Sequence, residues 1–199
     1  MFFIGEFTKG KSILWHAGAS SVSIAGIQLS KVSGASKIFI TAGSDEKIKF
    51  CTEELGADFG VNYKTQDWSK EILKETDGKG VDIVIDFVGA PYFQGNLDVA
   101  ARHGRIVQVG GLGGMKLPAG VDLGGFLRRM IRIEGSSLRG RDLDYQEKLR
   151  NKLETYLPKF EDGTLKLFVD KVFKWEDVVE AHKFMESNAS MGKLICTID

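Results

Sequence analysis

The sequence predicts an α/β fold: a doubly wound, six-stranded parallel sheet with helices on both faces, followed by a smaller α+β return. Three observations carry this. Short apolar, β-branched runs recur along the chain, each is followed by a segment with helical spacing, and the alternation holds from residue 12 to residue 136. Continuous apolar runs are what strands covered on both faces require, and right-handed crossovers then distribute the helices over the two faces.

The elements follow in order. Ile13, Leu14 and Trp15 form the first strand. The small-residue turn Ala17-Gly18-Ala19-Ser20-Ser21 leads into a helix expected to bury Val22, Ile24, Ala25, Ile27 and Leu29. Residues 37–41 (KIFIT) make the second strand, and 45–55 show helical spacing through Ile48, Cys51 and Leu55, closed by Gly56. Residues 59–62 are a short third strand, 68–76 a helix with Trp68, Ile72 and Leu73 on one face, and 81–87 (VDIVIDF) a fourth strand. A helix over 91–101 begins at Pro91, and 105–109 (RIVQV) form the fifth strand. The glycine-rich segment 110–114 lies just past the carboxyl end of that strand, where open α/β sheets bind ligands. A helix over 123–130 and a sixth strand over 132–136 complete the sheet.

From Asp144 the texture changes. A long charged amphipathic helix runs to Leu157, where Pro158 is expected to stop it; 169–173 read as a strand, 175–187 as a helix and 194–198 as a last strand. The sequence shows no sheet for these strands to join, so they are expected to dock on another domain or subunit. The division is accordingly drawn between residues 1–143 and 144–199.

Composition narrows the functional classes. In 199 residues, 27 Lys and Arg balance 27 Asp and Glu with no basic block, so the charge footprint of a nucleic-acid or anionic-membrane binder is missing. The apolar stretches are strand-length, and residues 1–7 lack the basic flank and long apolar core of a signal peptide, which makes the cytoplasm the expected compartment. Cys51 and Cys196 are far apart, have no Cys or His at ligand spacing, and read as reduced core or surface thiols.

Residues 12–29 give the clearest functional signal, because a buried strand, a tight small-residue turn and an apolar helix in that order make a nucleotide-phosphate site. Unpaired N–H groups at the helix start, with the positive end of its dipole, favour a pyrophosphate without a cationic side chain. The Rossmann glycine fingerprint is incomplete: Gly18 is in place, but Ser21 and Ser23 stand where later glycines are expected. The plainer alternative is an ordinary strand-to-helix turn with serine caps. About twenty residues past the turn, where an NAD enzyme places an acid on the ribose, stand Ala42, Gly43 and Ser44, with Lys47 one helical turn on. That pattern accommodates a 2′-phosphate and favours NADPH, with Asp45 a nearby carboxylate that opposes it. His16, just before the turn, reads as a packed, hydrogen-bonded histidine, and Asp86 as an acceptor for local backbone N–H groups; neither is assigned acid–base work. His103 and His182 have no companion metal ligands at useful spacing.

Six segments line up with one family: HAGASSVSIAGIQL, TAGSDEKIKFCTEELGAD, NYK, GKGVDIVIDFVG, RIVQVGGLGG and EAHKFMESNASMGKLI. Together, from Lys9 to the end, they resemble the zinc-independent quinone oxidoreductase branch of the medium-chain dehydrogenase/reductase superfamily. The resemblance implies a two-domain enzyme that passes hydride from NADPH to a quinone or other α,β-unsaturated carbonyl. It places Ala17, Gly18, Ser20, Ser21 and Val22 at the pyrophosphate, and Gly43, Ser44, Lys47 and Tyr63 at the 2′-phosphate. Phe87, Val88, Gly89, Val109, Gly110, Gly111 and Leu112 would line the nicotinamide and its ribose. Each residue also has a plain structural role open to it: Ser44 as a helix cap, Lys47 on a solvated face, Tyr63 as a surface aromatic. The resemblance further implies a homodimer through the sixth strand and no metal, and it assigns no catalytic side chain. The family's GroES-like catalytic domain lies ahead of the first strand, where only residues 1–11 stand here, so the chain reads as the cofactor half of a larger enzyme. The competing class is a non-catalytic NADP(H)-binding module; an RNA-binding role is weakened by the neutral charge.

Overall fold

The structure is a computed structural model and describes residues 1–198. Six parallel strands, β1 (Ser12–Trp15), β2 (Lys37–Ala42), β3 (Phe59–Asn62), β4 (Val81–Asp86), β5 (Ala100–Gln108) and β6 (Arg132–Gly135), form one sheet in the order β3-β2-β1-β4-β5-β6. The expected α/β architecture is present, and the strand order reverses between β1 and β4, the crevice where such sheets take ligands. Side chains alternate between faces. Ile13, Trp15, Ile38, Ile40, Ile83 and Ile85 pack against α1 (Ser21–Val32) and the second helix, while Leu14, Phe39, Val61, Val84 and Ile106 pack against α3 (Trp68–Glu75) and α4 (Phe93–Val99).

The second helix changes character along its length. It begins as α2 (Asp45–Lys49) and continues as a π-helical segment over Phe50–Glu54, ending before Gly56 at φ 82°. Cys51, within the π-helical segment, is fully buried.

The inward face of α1 differs from the expected one. Val22 is 57% exposed and Ala25 is exposed too, whereas Ser23, Gly26, Ile27 and Ser30 face the sheet. The cause is Trp15. A Cβ on Gly26 would lie 2.3 Å from the Trp15 ring, and the indole Nε1 donates to Ser30 Oγ at 3.1 Å. Small residues therefore face the sheet where a large ring already fills the layer. Gly26→Ala forces backbone or ring displacement in a close-packed core, so it should lower stability by about 1–3 kcal/mol, measured as a drop in the urea midpoint without a change in slope; an unchanged midpoint would show that the layer yields freely.

Other boundaries also shift. The segment after β4 starts as a 3₁₀ turn (Ala90–Tyr92) before α4, and β5 begins at Ala100 instead of 105. A short α5 (Gly124–Arg129) precedes β6. Pro158 does not stop the charged helix: α6 (Leu143–Glu154) ends earlier, and Pro158 sits in the first turn of α7 (Leu157–Glu161), where its missing N–H costs nothing. The last strands, β7 (Val169–Lys174) and β8 (Lys193–Thr197), pair in parallel with each other across α8 (Val178–Glu186), so they do have a partner within the chain. Among the described residues, no helix is long and apolar enough to cross a membrane.

Candidate functional site

The turn after β1 is built to present backbone. Ala17 adopts φ 49°, Gly18 N–H donates to the Thr41 carbonyl at 2.9 Å, and Ser20 N–H donates to Ala17 O at 2.8 Å. A Cβ on Gly18 would meet Ile40 Cβ at 2.9 Å and Cys51 Sγ at 3.2 Å, so glycine is required by packing beneath the turn. Ser20 Oγ caps α1 by accepting from Ser23 N–H at 3.3 Å. That leaves the N–H groups of Ser21 and Val22, which have no intrahelical partner, directed out of the helix start. The serines also explain the incomplete fingerprint: Ser23, fully buried, donates its hydroxyl to the His16 carbonyl at 2.8 Å, and Ser21 donates its own to the Gly192 carbonyl at 2.9 Å.

At the ends of β2 and β3, Ser44 Oγ accepts from Lys47 N–H at 3.3 Å, so Ser44 does cap α2. A Cβ on Gly43 would lie 2.7 Å from the Tyr63 hydroxyl and 3.3 Å from Lys64 Cε, which places both side chains directly over the Gly43 backbone. Lys47 Nζ is bonded to the Asn188 carbonyl; burial, then the neighbouring Lys64 ammonium, push the Lys47 pKa below its ordinary value. The opposing carboxylate is occupied, because Asp45 Oδ1 accepts from Asn62 Nδ2 at 2.8 Å. Two lysines and a phenol thus converge on one small surface. Lys64 is absent from the residues that the sequence singles out, although it is the last residue of the Asn-Tyr-Lys motif; only the packing over Gly43 shows its use.

At the ends of β4 and β5 two loops are laced together. Val88 N–H and Gly89 N–H donate to Asp86 Oδ1 at 2.6 and 3.2 Å, Leu112 N–H to Phe87 O at 2.9 Å, and Gly113 N–H to Val88 O at 2.8 Å. Gly89 has φ 92° and a Cβ there would strike Gly114 O at 2.5 Å, so no other residue fits. Val22, Phe87 and Val109 line one cavity of about 230 Å³ together with residues 1–4, so the turn after β1 and these loops share a surface. Gly110 and Gly111, which follow Val109, are half-buried, and Leu112 is 84% exposed.

His16 and Asp86 are fully buried and joined by Asn96. His16 Nδ1 lies 2.9 Å from Thr41 Oγ1, His16 Nε2 lies 2.8 Å from Asn96 Oδ1, and Asn96 Nδ2 donates to Asp86 Oδ2 at 2.9 Å. Both side chains are packed and hydrogen-bonded, in keeping with the roles expected for them.

The sequence model of the zinc-binding dehydrogenase family matches residues 21–155. The chain belongs to that family. Prostaglandin reductase-3 of Mus musculus is 30% identical over 203 residues, covering 96% of this chain and 53% of that protein. Polyketide synthase 37 of Dictyostelium discoideum is 28% identical over 196 residues, covering 96% of this chain and 6% of its own length. Among solved structures, quinone oxidoreductase of Escherichia coli complexed with NADPH superposes with TM-score 0.82 at 27% identity, over 97% of this chain and 59% of the other. The chain therefore spans about half of the reductases it matches, and this half is the cofactor-binding domain of the medium-chain dehydrogenase/reductase superfamily.

The donor set fits a nicotinamide dinucleotide. Backbone N–H groups stand at the α1 start for phosphate, cations at the far end of the surface, and small, backbone-rich loops at the near end. For zinc the donors are missing: among the described residues no group of three or more His, Cys, Asp or Glu is placed to hold a metal ion.

Proposed function

We propose that the chain binds NADPH and forms the cofactor half of a zinc-independent quinone or enone oxidoreductase. The observation that carries the cofactor choice is the Gly43 surface, where Lys47, Lys64 and the Tyr63 hydroxyl gather while Asn62 holds the Asp45 carboxylate. A 2′-phosphate would make charge-assisted contacts with these donors, in competition with the Asp170 and Glu46 carboxylates that also act on Lys47. Ala17, Gly18, Ser20, Ser21 and Val22 would hold the pyrophosphate, chiefly through backbone; Gly43, Ser44, Lys47 and Tyr63 would hold the 2′-phosphate; Phe87, Val88, Gly89, Val109, Gly110, Gly111 and Leu112 would orient the nicotinamide end. Ser21 already donates its hydroxyl to the Gly192 carbonyl, so its contribution in this reading is backbone N–H, whereas Ser44 Oγ only accepts from Lys47 N–H and keeps its own O–H to donate. A bound reduced nicotinamide supplies hydride from C4 to an acceptor carbon; the residues here bind, orient and exclude water. In this scheme 1–143 are the cofactor domain proper, 144–199 its extension towards a catalytic domain, and the cytoplasm is the compartment.

Titration of NADPH and NADH by calorimetry tests the cofactor assignment. NADPH should bind at least about tenfold more tightly, the worth of one charge-assisted hydrogen bond; equal affinities would refute it, and tight binding without turnover in any fused form would favour the non-catalytic module. The exposed edge strand β6, with Ile133 39% exposed, is proposed to pair with a second copy. Sedimentation at micromolar concentration should show a dimer, and a monomer there removes that proposal.

A further inference from the structure

The hydrogen-bond chain through His16 has a fixed direction. Asp86 is an acceptor on every side: its oxygens receive Val88 N–H, Gly89 N–H and Asn96 Nδ2. The Asn96 amide nitrogen is thereby turned to Asp86, and its oxygen must face His16. An amide oxygen donates nothing, so His16 Nε2 carries the hydrogen. In a neutral ring Nδ1 is then an acceptor, and it takes the Thr41 hydroxyl. The same Thr41 holds Gly18 N–H on its backbone carbonyl. One uninterrupted path thus runs from the glycine turn, through Thr41, His16, Asn96 and Asp86, to the Val88 and Gly89 amides. All four side chains on it are buried, and none has an unpartnered polar atom.

The imidazole is also boxed. Trp68 and Tyr92 meet it edge-on with ring centroids at 4.7 and 4.8 Å. Burial pushes the His16 pKa down, against a smaller pull upward from Asp86 and Asn96, which agrees with a neutral ring. No part of this path touches a reacting atom in the reading above. It joins the two loops that would grip opposite ends of a dinucleotide.

We propose that His16, as its Nε2–H tautomer, is a positioning residue that couples the glycine turn to the Val88–Gly89 loop and so fixes the nicotinamide end of a bound cofactor. The last clause rests on the NADPH reading. Removing the imidazole leaves the Asn96 oxygen unpaired in the core. The amide must then shift towards another donor, which weakens its Nδ2–H bond to Asp86 and loosens the carboxylate that holds the loop amides.

Three measurements test this. Imidazole nitrogen shifts of the unaltered protein should show Nε2–H with a bare Nδ1; a ring protonated on Nδ1 overturns the assignment, and this needs no variant. Amide exchange at Val88 and Gly89 in the cofactor-free protein should quicken in His16→Leu and recover in His16→Gln, whose amide can still donate to Asn96. Unchanged exchange in folded His16→Leu overturns the coupling; if His16→Leu does not fold, Thr41→Val, which takes the hydroxyl from Nδ1 and leaves the imidazole in place, should quicken the same amides, and unchanged exchange there overturns the coupling. In binding, His16→Leu should weaken NADPH about tenfold, as for one lost charge-linked hydrogen bond, while adenosine 2′,5′-bisphosphate binds as before. Equal weakening of both ligands overturns the nicotinamide clause. If the unaltered protein binds neither ligand, the NADPH reading fails, and the exchange data still decide whether His16 couples the loops.

Discussion

Given NADPH and a simple quinone, the 199-residue chain should oxidise the cofactor several powers of ten more slowly than the same residues joined to a GroES-like catalytic domain. Positioning donor and acceptor in a water-poor cleft supplies on the order of 7–11 kcal/mol of barrier reduction, and each ~1.4 kcal/mol is tenfold in rate. The near end of the proposed site offers no such cleft by itself. Leu112 is 84% exposed, and Gly110 and Gly111 are only half-buried. A nicotinamide there would meet quinones only in unoriented encounters, with water able to enter. Steady-state kcat/KM for the two forms is the measurement. Equal values would mean that this chain's own residues already supply the chemistry, and the buried His16–Asp86 path would then need a catalytic role instead of a positioning one.

The second large effect is expected at the Gly43 surface. Replacing both Lys47 and Lys64 with Ala should abolish the preference for NADPH over NADH, a loss of about a hundredfold to ten-thousandfold in NADPH affinity if each lysine makes one charge-assisted contact worth about 1.5–3 kcal/mol before solvent screening. NADH binding should hold or improve. Screening favours the lower end of that range, because Lys64 is exposed and Lys47 only half-buried. Tyr63→Phe should cost less, since it removes one neutral donor. The ratio of the two dissociation constants is the decisive number, since a general loss of folding would lower both affinities together. An unchanged ratio in a folded double variant would remove the 2′-phosphate from this surface.

Much of the fold is legible in the sequence because burial on both faces writes itself into the residues. The third strand, 59–62, can be placed to the residue, and the inner strands of the main sheet stand out, since a parallel strand covered on both faces must be apolar; the edge strand β6, exposed along its length, shows only through its place in the alternation. What cannot be read depends on neighbours. The face of α1 differs from expectation because apolarity marks what can be buried, not what has room: Trp15 takes the volume, so Ser23, Gly26 and Ser30 face inward and Val22 faces out. Pro158 looks like a stop and instead opens a new helix, because a proline at a helix end and one at a helix start carry the same missing N–H. The pairing of β7 with β8 joins strands separated by a helix and has no local signature. At the site, glycine and serine positions are visible, but which serine hydroxyls are already used, and that Lys64 overlies Gly43, are facts of packing alone.

The small parallel sheet of β7 and β8 bears on the order in which the chain folds. Its strands meet only across α8, so pairing them closes a loop before much contact repays the entropy. A two-stranded sheet is marginal by itself, and this one is moored by links to earlier elements: Ser21 and Lys47 to the carbonyls of Gly192 and Asn188, Gln28 to Lys166, and Phe50 edge-on to Phe168 at 5.2 Å. Those moorings exist only once α1 and the second helix lie on the main sheet. Nucleation is therefore expected in the first half of the chain, with the carboxyl-terminal return condensing afterwards; amide protection during refolding should appear in β1, β2 and β4 before β7 and β8.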